Sequence, residues 1–152
     1  MSERNNSLEH IALSVQDLDR STVFYCDFFN MRVERLIECP PEMNLGVING
    51  MPGSSARIAH LQGNSIMLEI FEYQHPAGKP ISTENKQADH GFIHLGFSSN
   101  DIQRDFKRVK EYGLEILGGP LEFRPDVFVL YFYGPDREVI ELRQIRELVT
   151  TG

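Results

Sequence analysis

The run Leu8-Glu9-His10-Ile11-Ala12-Leu13-Ser14-Val15-Gln16-Asp17-Leu18 is answered later by Ile93-His94-Leu95-Gly96-Phe97-Ser98-Ser99-Asn100-Asp101-Ile102. Each places a histidine early in an alternating apolar stretch, the pattern of a half-buried strand. In each, an aspartate and an apolar residue follow that histidine by seven and eight positions. A second correspondence lies downstream, where Ile66-Met67-Leu68-Glu69-Ile70 resembles Glu138-Val139-Ile140-Glu141-Leu142. The chain therefore states one module twice, and each copy offers one histidine and one carboxylate. Two histidines and two carboxylates in register form the donor set that a divalent metal shared between twin modules needs.

The segments around these runs support the repeat. Asp17 is a helix N-cap, and Leu18, Thr22, Tyr25, Phe28 and Phe29 then recur at helical spacing until Asn30. A strand over 32–38 leads into a loop over 40–53 rich in Pro and Gly. Strands over 56–62 and 65–72 follow, forming a hairpin about Gly63-Asn64. Residues 74–90 are polar, carry Pro76, Gly78 and Pro80, and read as a linker. The pattern then restarts: a strand over 92–98, a helix over 101–112 closed by Gly113, a strand over 114–117, and a hairpin of 127–133 with 138–144 about Gly134-Pro135-Asp136-Arg137. Each half reads strand-helix-strand-strand-strand, an α+β arrangement. The boundaries are an N-terminal tail 1–7, a first module 8–73, the linker 74–90, a second module 91–145 and a C-terminal tail 146–152.

His94 follows His10 by 84 residues and Glu141 follows Glu69 by 72, so the first module holds about twelve more. The loop 40–53 is the place for them, and two roles stand open: shaping the mouth of a site, or a surface insertion.

Strand parity assigns faces. Met67, Glu69 and Phe71 share one side of their strand, while Ile66, Leu68 and Ile70 share the other and should pack on the helix. Val139, Glu141 and Arg143 share a side in the second copy. A two-residue turn at Gly63-Asn64 sets Ile58 opposite Glu69 and His60 opposite Met67. A four-residue turn in the second hairpin sets Leu130 opposite Glu141, with Phe128 and Phe132 beside it. The candidate substrate contacts are thus His60, Met67, Phe71, Phe128, Leu130, Phe132 and Arg143. A slip of one residue would invert the faces.

Composition narrows the class. The 152 residues carry a net charge of −7, which offers no basic footprint for nucleic acid or an anionic membrane. The 41% apolar content supports a core. No apolar run approaches the roughly 20 residues of a membrane span. Cys26 and Cys39 lack any zinc-ribbon spacing, and the polar start has no signal-peptide pattern. These features lead to the expectation of a cytoplasmic protein.

The stretches His10-Ile11-Ala12-Leu13-Ser14-Val15 with Asp17-Leu18-Asp19-Arg20 and Phe24-Tyr25, Leu68-Glu69-Ile70-Phe71, His94-Leu95-Gly96-Phe97, and Tyr131-Phe132-Tyr133-Gly134-Pro135-Asp136-Arg137-Glu138-Val139-Ile140-Glu141-Leu142 come in the expected order. On them the chain resembles the vicinal oxygen chelate superfamily, which includes glyoxalase I, methylmalonyl-CoA epimerase, extradiol dioxygenases and fosfomycin-resistance enzymes. The resemblance implies two tandem βαβββ modules forming a curved, mostly antiparallel sheet around one divalent metal (Ni, Zn, Co, Mn or Fe). It places His10, Glu69, His94 and Glu141 at the ligand positions. It also implies a homodimer and a small-molecule substrate with vicinal oxygens.

The residues after Glu69, Ile70-Phe71-Glu72-Tyr73-Gln74-His75-Pro76, lack the asparagine-bearing stretch of glyoxalase I. The full His/Glu/His/Glu set leans towards isomerase or lyase chemistry, with an enediolate stabilised while Glu141 or Glu69 moves a proton. The alternatives are an Fe(II) extradiol-type dioxygenase acting on a catechol-like substrate, and a metal-free binding protein for a hydrophobic small molecule.

Overall fold

The computed structural model describes residues 6–146. The expected tail residues 1–5 and 147–152 lie outside the described residues. The chain divides after Pro80 into two compact units, and each repeats the expected order with its own four-stranded sheet.

In the first unit the order is β1 (His10–Ser14), α1 (Leu18–Phe29), β2 (Arg32–Cys39), α2 (Leu45–Ile48), β3 (Ser55–Gln62) and β4 (Met67–His75). The sheet runs β1-β4-β3-β2, with β1 parallel to β4 and the other pairs antiparallel. The Asp17 side chain accepts a hydrogen bond from the Arg20 amide, so the aspartate repeated in both copies is a helix cap. Asn30 closes α1 in the left-handed conformation. Leu18, Phe24, Tyr25 and Phe28 on α1 are buried, as are Ala59, Leu61, Leu68 and Ile70 on the strands. Loop 40–53 is partly ordered: a 3-10 turn at Pro41–Met43 precedes α2.

The second unit holds β5 (Leu95–Ser98), α3 (Ile102–Glu111), β6 (Ile116–Arg124), β7 (Val127–Tyr133) and β8 (Val139–Ile145). Its sheet runs β5-β8-β7-β6, with β5 parallel to β8. Asp101 caps α3 as Asp17 caps α1, and Gly113 takes a positive φ just after the helix. The predicted strand 114–117 is longer, because β6 continues through Gly118-Gly119-Pro120 to Arg124. The two cores divide volume differently. Aromatic residues of α1 oppose the small Ala59 in the first, while the smaller Ile102 and Val109 of α3 accompany Leu130 and Phe132 in the second.

Both hairpin turns are longer than expected. The first spans Gly63 to Ile66, with the Gly63 amide donating to the Ile66 carbonyl at 3.1 Å. This slides the pairing by two, so His60 faces Glu69 and Ile58 faces Phe71. A slip of two leaves the faces unchanged. The second turn spans Gly134 to Glu138, where Arg137 adopts a positive φ and the buried Glu138 carboxylate accepts from the Asp136 amide at 2.9 Å. That one extra residue inverts β7. Tyr131 therefore faces Glu141, and Leu130 faces Leu142 in the core.

Candidate metal centre

In the first unit, Glu69 sits mid-strand on β4 beside Ala12 of β1 and His60 of β3. Its two oxygens serve different imidazoles: His10 Nε2 lies 3.3 Å from one and His60 Nε2 2.9 Å from the other. The carboxylate side chain is only 16% exposed. In the second unit Glu141 lies beside Gly96 of β5 and Tyr131 of β7. His94 Nε2 is 3.0 Å from a Glu141 oxygen. The Tyr131 phenol is hydrogen-bonded to the same carboxylate. Burial, the Glu141 charge and that bond together push its pKa above the usual tyrosine value. The His94 and Tyr131 rings meet edge to face at 5.4 Å.

The repeat therefore pairs one histidine with one carboxylate in each unit. Neither Ala12 nor Gly96 has a side chain large enough to crowd the carboxylate beside it. Among the described residues, no three His, Cys, Asp or Glu side chains form a group able to hold a metal ion. Each unit instead contributes a nitrogen–oxygen pair. A partly buried carboxylate whose partners are imidazoles, rather than the fixed cations of Lys or Arg, is a place a cation can enter. Imidazole and carboxylate donors suit the borderline and harder divalent metals.

The remaining candidates separate by face. His60, Met67 and Phe71 lie on the Glu69 side, as expected. Arg143 is exposed on the Glu141 side, opposite Val129. Phe128, Leu130 and Phe132 are corrected: they alternate onto the other face, where Leu130 and Phe132 are fully buried against Leu142 and Ile140. Val129, Tyr131 and Tyr133 take their place. Tyr131 is the functional candidate that sequence reasoning missed. The repeat alone does not find it, because His60 precedes Glu69 by nine residues and Tyr131 precedes Glu141 by ten, the second turn being one residue longer.

The surroundings of the two carboxylates differ. Beyond Glu69, the apolar end of the same face is a cluster of Cys39, Ala56 and Ile58, against which Leu45 of α2, Ile37, Phe71 and Tyr73 pack. The inserted segment is thus a cover for that end, fastened by a 3.1 Å hydrogen bond from the Asn49 amide to the Tyr73 hydroxyl. Among the described residues, the second unit has no helix between β6 and β7 to match α2. A cavity of about 350 Å³ opens beside His94 and Tyr131, walled by Ile93, Leu117, Gly118 and Gln87.

The family model of the glyoxalase/bleomycin resistance protein/dioxygenase superfamily matches residues 7–142. The chain belongs to that superfamily. Solved structures place the superfamily fold over nearly all of it. A glyoxalase family protein from Bacillus cereus is similar with a TM-score of 0.84 at 16% identity, over 97% of this chain and 100% of that one. The fosfomycin resistance protein FosX from Listeria monocytogenes, in complex with Mn(II) and sulfate, gives 0.61 at 19% identity over 93% and 94%. FosX from Mesorhizobium loti gives 0.60 at 23% identity over 99% and 96%. No curated protein matches the chain. Among the described residues no helix is long and apolar enough to cross a membrane.

Proposed function

We propose that this superfamily member is a divalent-metal-dependent isomerase or lyase of the glyoxalase type, acting on a small molecule with vicinal oxygens. One observation carries the reading: each unit independently brings a histidine Nε2 to about 3 Å from a strand carboxylate. His10, Glu69, His94 and Glu141 would hold the metal, from one chain or from the two chains of a homodimer. The Mn(II) bound by a FosX relative supports a divalent ion. When bound, the ion supplies Lewis-acid polarisation of substrate oxygens.

The chain's own residues do the rest. A carboxylate, Glu141 or Glu69, takes the proton from the carbon next to a carbonyl and returns it to the neighbouring atom, so the isomerisation balances without a co-reactant. His60 and Tyr131 hold these carboxylates in place through their bonds to the oxygens. The open apolar cavity beside His94 would receive the organic body of the substrate. We assign the protein to the cytoplasm on the same reading.

A second reading, Fe(II)-dependent ring cleavage of a catechol-like compound, draws support from this apolar cavity with a phenol at its wall. Elemental analysis of protein purified anaerobically without chelator separates the readings. We expect about one metal per site, with His94→Ala and Glu141→Ala each weakening metal binding beyond the roughly 10- to 100-fold of an outer-shell loss. Iron with substrate-dependent oxygen uptake would favour dioxygenation. Nickel, zinc, cobalt or manganese with solvent-deuterium incorporation would favour proton transfer. Failure to bind any added divalent metal would overturn both and leave the metal-free binding protein.

A further inference from the structure

We propose that Leu117 and Gly118 of β6 set the substrate class of the second unit's site, admitting an uncharged apolar body about the size of a phenyl ring beside His94 and Tyr131. The inference rests on the reading of that site as the place where the substrate is held.

The pairing of β6 with β7 skips one residue. Ile116 faces Phe132 and Gly118 faces Tyr131, which leaves Leu117 as the extra residue of a β-bulge. A bulge sets two residues against one and re-aims their side chains. Leu117 and Gly118 accordingly both wall the cavity beside His94 and Tyr131. In the first unit β2 carries the same irregularity: Val33 faces Leu61 and Arg35 faces His60, with Glu34 the extra residue. His60 and Tyr131 stand across from Glu69 and Glu141, so the two bulges occupy matching places. The charged pair Glu34-Arg35 of one copy is Leu117-Gly118 in the other.

The adjacent glycines Gly118 and Gly119 answer different needs. Gly119 has a φ of 98°, and a Cβ there would collide with the Val129 carbonyl oxygen, so the backbone itself requires glycine. Gly118 lies outside the left-handed region, and a Cβ there would meet no atom within 4 Å. The fold therefore accepts a side chain at 118, and glycine is explained by the space it leaves open beside Tyr131. Glycine inside a strand can mark such a close approach by a ligand.

The wall chemistry names the ligand. Ile93 and Leu117 are apolar, and no Lys or Arg stands among the described wall residues. The amide of Gln87 is already engaged: its Nε2 donates to the Ile93 carbonyl at 2.8 Å, and its oxygen lies 3.2 Å from His94 Nδ1. No fixed cation in the wall would offset the desolvation of an anionic group on the substrate's body. The cavity of about 350 Å³ exceeds the roughly 150 Å³ that accepts a benzene ring.

The test titrates 4-fluorobenzyl alcohol and 4-fluorobenzoate into the full chain, metal-free, read by fluorine resonance and by the backbone amide spectrum. The alcohol should shift the amides of Ile93, Leu117 and Gly118 and bind about 10-fold tighter than the anion, a modest factor because the cavity is open to water. Gly118→Val should weaken the alcohol by about 10-fold, the scale of a lost apolar contact, and Gly118→Ala by less.

No binding of the alcohol, shifts confined to other residues, or an anion bound as tightly each overturns the proposal. So does unchanged affinity in Gly118→Val with the remaining amides overlaying the wild type. Should Gly118→Val fail to fold, Gly118→Ala carries the same comparison, and an affinity equal to the wild type there overturns the proposal. The probes need no metal, so a chain that takes up no divalent ion but passes this titration keeps the selectivity while the metal reading fails.

Discussion

The two units build the same nitrogen–oxygen pair and surround it differently. In the first, Glu69 is held by two imidazoles, and the apolar end of its face is covered by α2. In the second, Glu141 is held by one imidazole and one phenol, and its face opens into a cavity. What repeats is the donor set and the strand geometry that presents it. What diverges are the positions opposite the carboxylate, His60 and Tyr131, and the segment between the second and third strands. A duplicated module thus keeps the histidine–carboxylate pair while the residues around it diverge.

The cores sharpen this contrast and supply the largest expected effect. Ala59 in β3 and Leu130 in β7 occupy matching places, one residue before His60 and Tyr131. Leu130→Ala should cost about 2–5 kcal/mol, since Leu130 is fully buried opposite Leu142. Ala59→Leu should also destabilise, by about 1–3 kcal/mol, because Ala59 is fully buried in the strand that packs against α1. Val129→Ala, on the Glu141 side, should cost clearly less than Leu130→Ala in denaturant unfolding. Equal costs at 129 and 130 would show that the β7 register is wrong and return Leu130 to the carboxylate face.

That register also marks where sequence reading stopped working. The helix cap Asp17, the stop at Asn30, and the faces of β4 and β8 were legible because each rests on a local rule: capping chemistry, a left-handed residue, or alternation beside a buried helix. The strand β7 reads Val-Phe-Val-Leu-Tyr-Phe-Tyr, and both of its faces are apolar or aromatic, so alternation selects neither. The choice fell to the turn, where the positive φ of Arg137 and the buried Glu138 add a residue that composition does not announce. Gln87 was illegible for another reason: a polar segment with prolines looks solvated, and its side-chain contacts with the Ile93 carbonyl and His94 Nδ1 have no periodic signal. The pairing of His10 with Glu69 and of His94 with Glu141 was readable because the repeat itself supplied the second instance.

The cover on the first unit gives a smaller effect. Leu45 is the α2 side chain that packs on Cys39, Ala56 and Ile58. Leu45→Ala should destabilise by about 1–2 kcal/mol, in line with the apolar area it hides. It should also expose an apolar face like the one already open in the second unit, read as stronger binding of anilinonaphthalene sulfonate to the still-folded protein. Unchanged stability and dye binding would mean that α2 rests on the sheet without contributing, and the contrast between covered and open faces would lose its energetic basis.

The smallest effect concerns the phenol that replaces an imidazole. The Tyr131 pKa is raised by burial, then by the Glu141 charge and its hydrogen bond. In metal-free protein Tyr131 should therefore ionise above the usual value of about 10, and Tyr131→Phe should show one late-ionising phenol fewer than the wild type in an ultraviolet titration. Glu141→Gln should move the step down, since it removes the charge. The sign for stability follows. With the folded value above the unfolded one, the contribution is complete below pH about 10 and is lost as pH rises through the folded value. The hydrogen bond is worth at most about 1 kcal/mol at this partly exposed position, so the gap in unfolding free energy between wild type and Tyr131→Phe should be small at neutral pH and close at alkaline pH. The first unit has His60 where the second has Tyr131, and no phenol faces Glu69 across that strand pair. A late-ionising amplitude unchanged in Tyr131→Phe would mean that it belongs wholly to other tyrosines, and the chemical difference between the two carboxylate sites would have to be sought elsewhere.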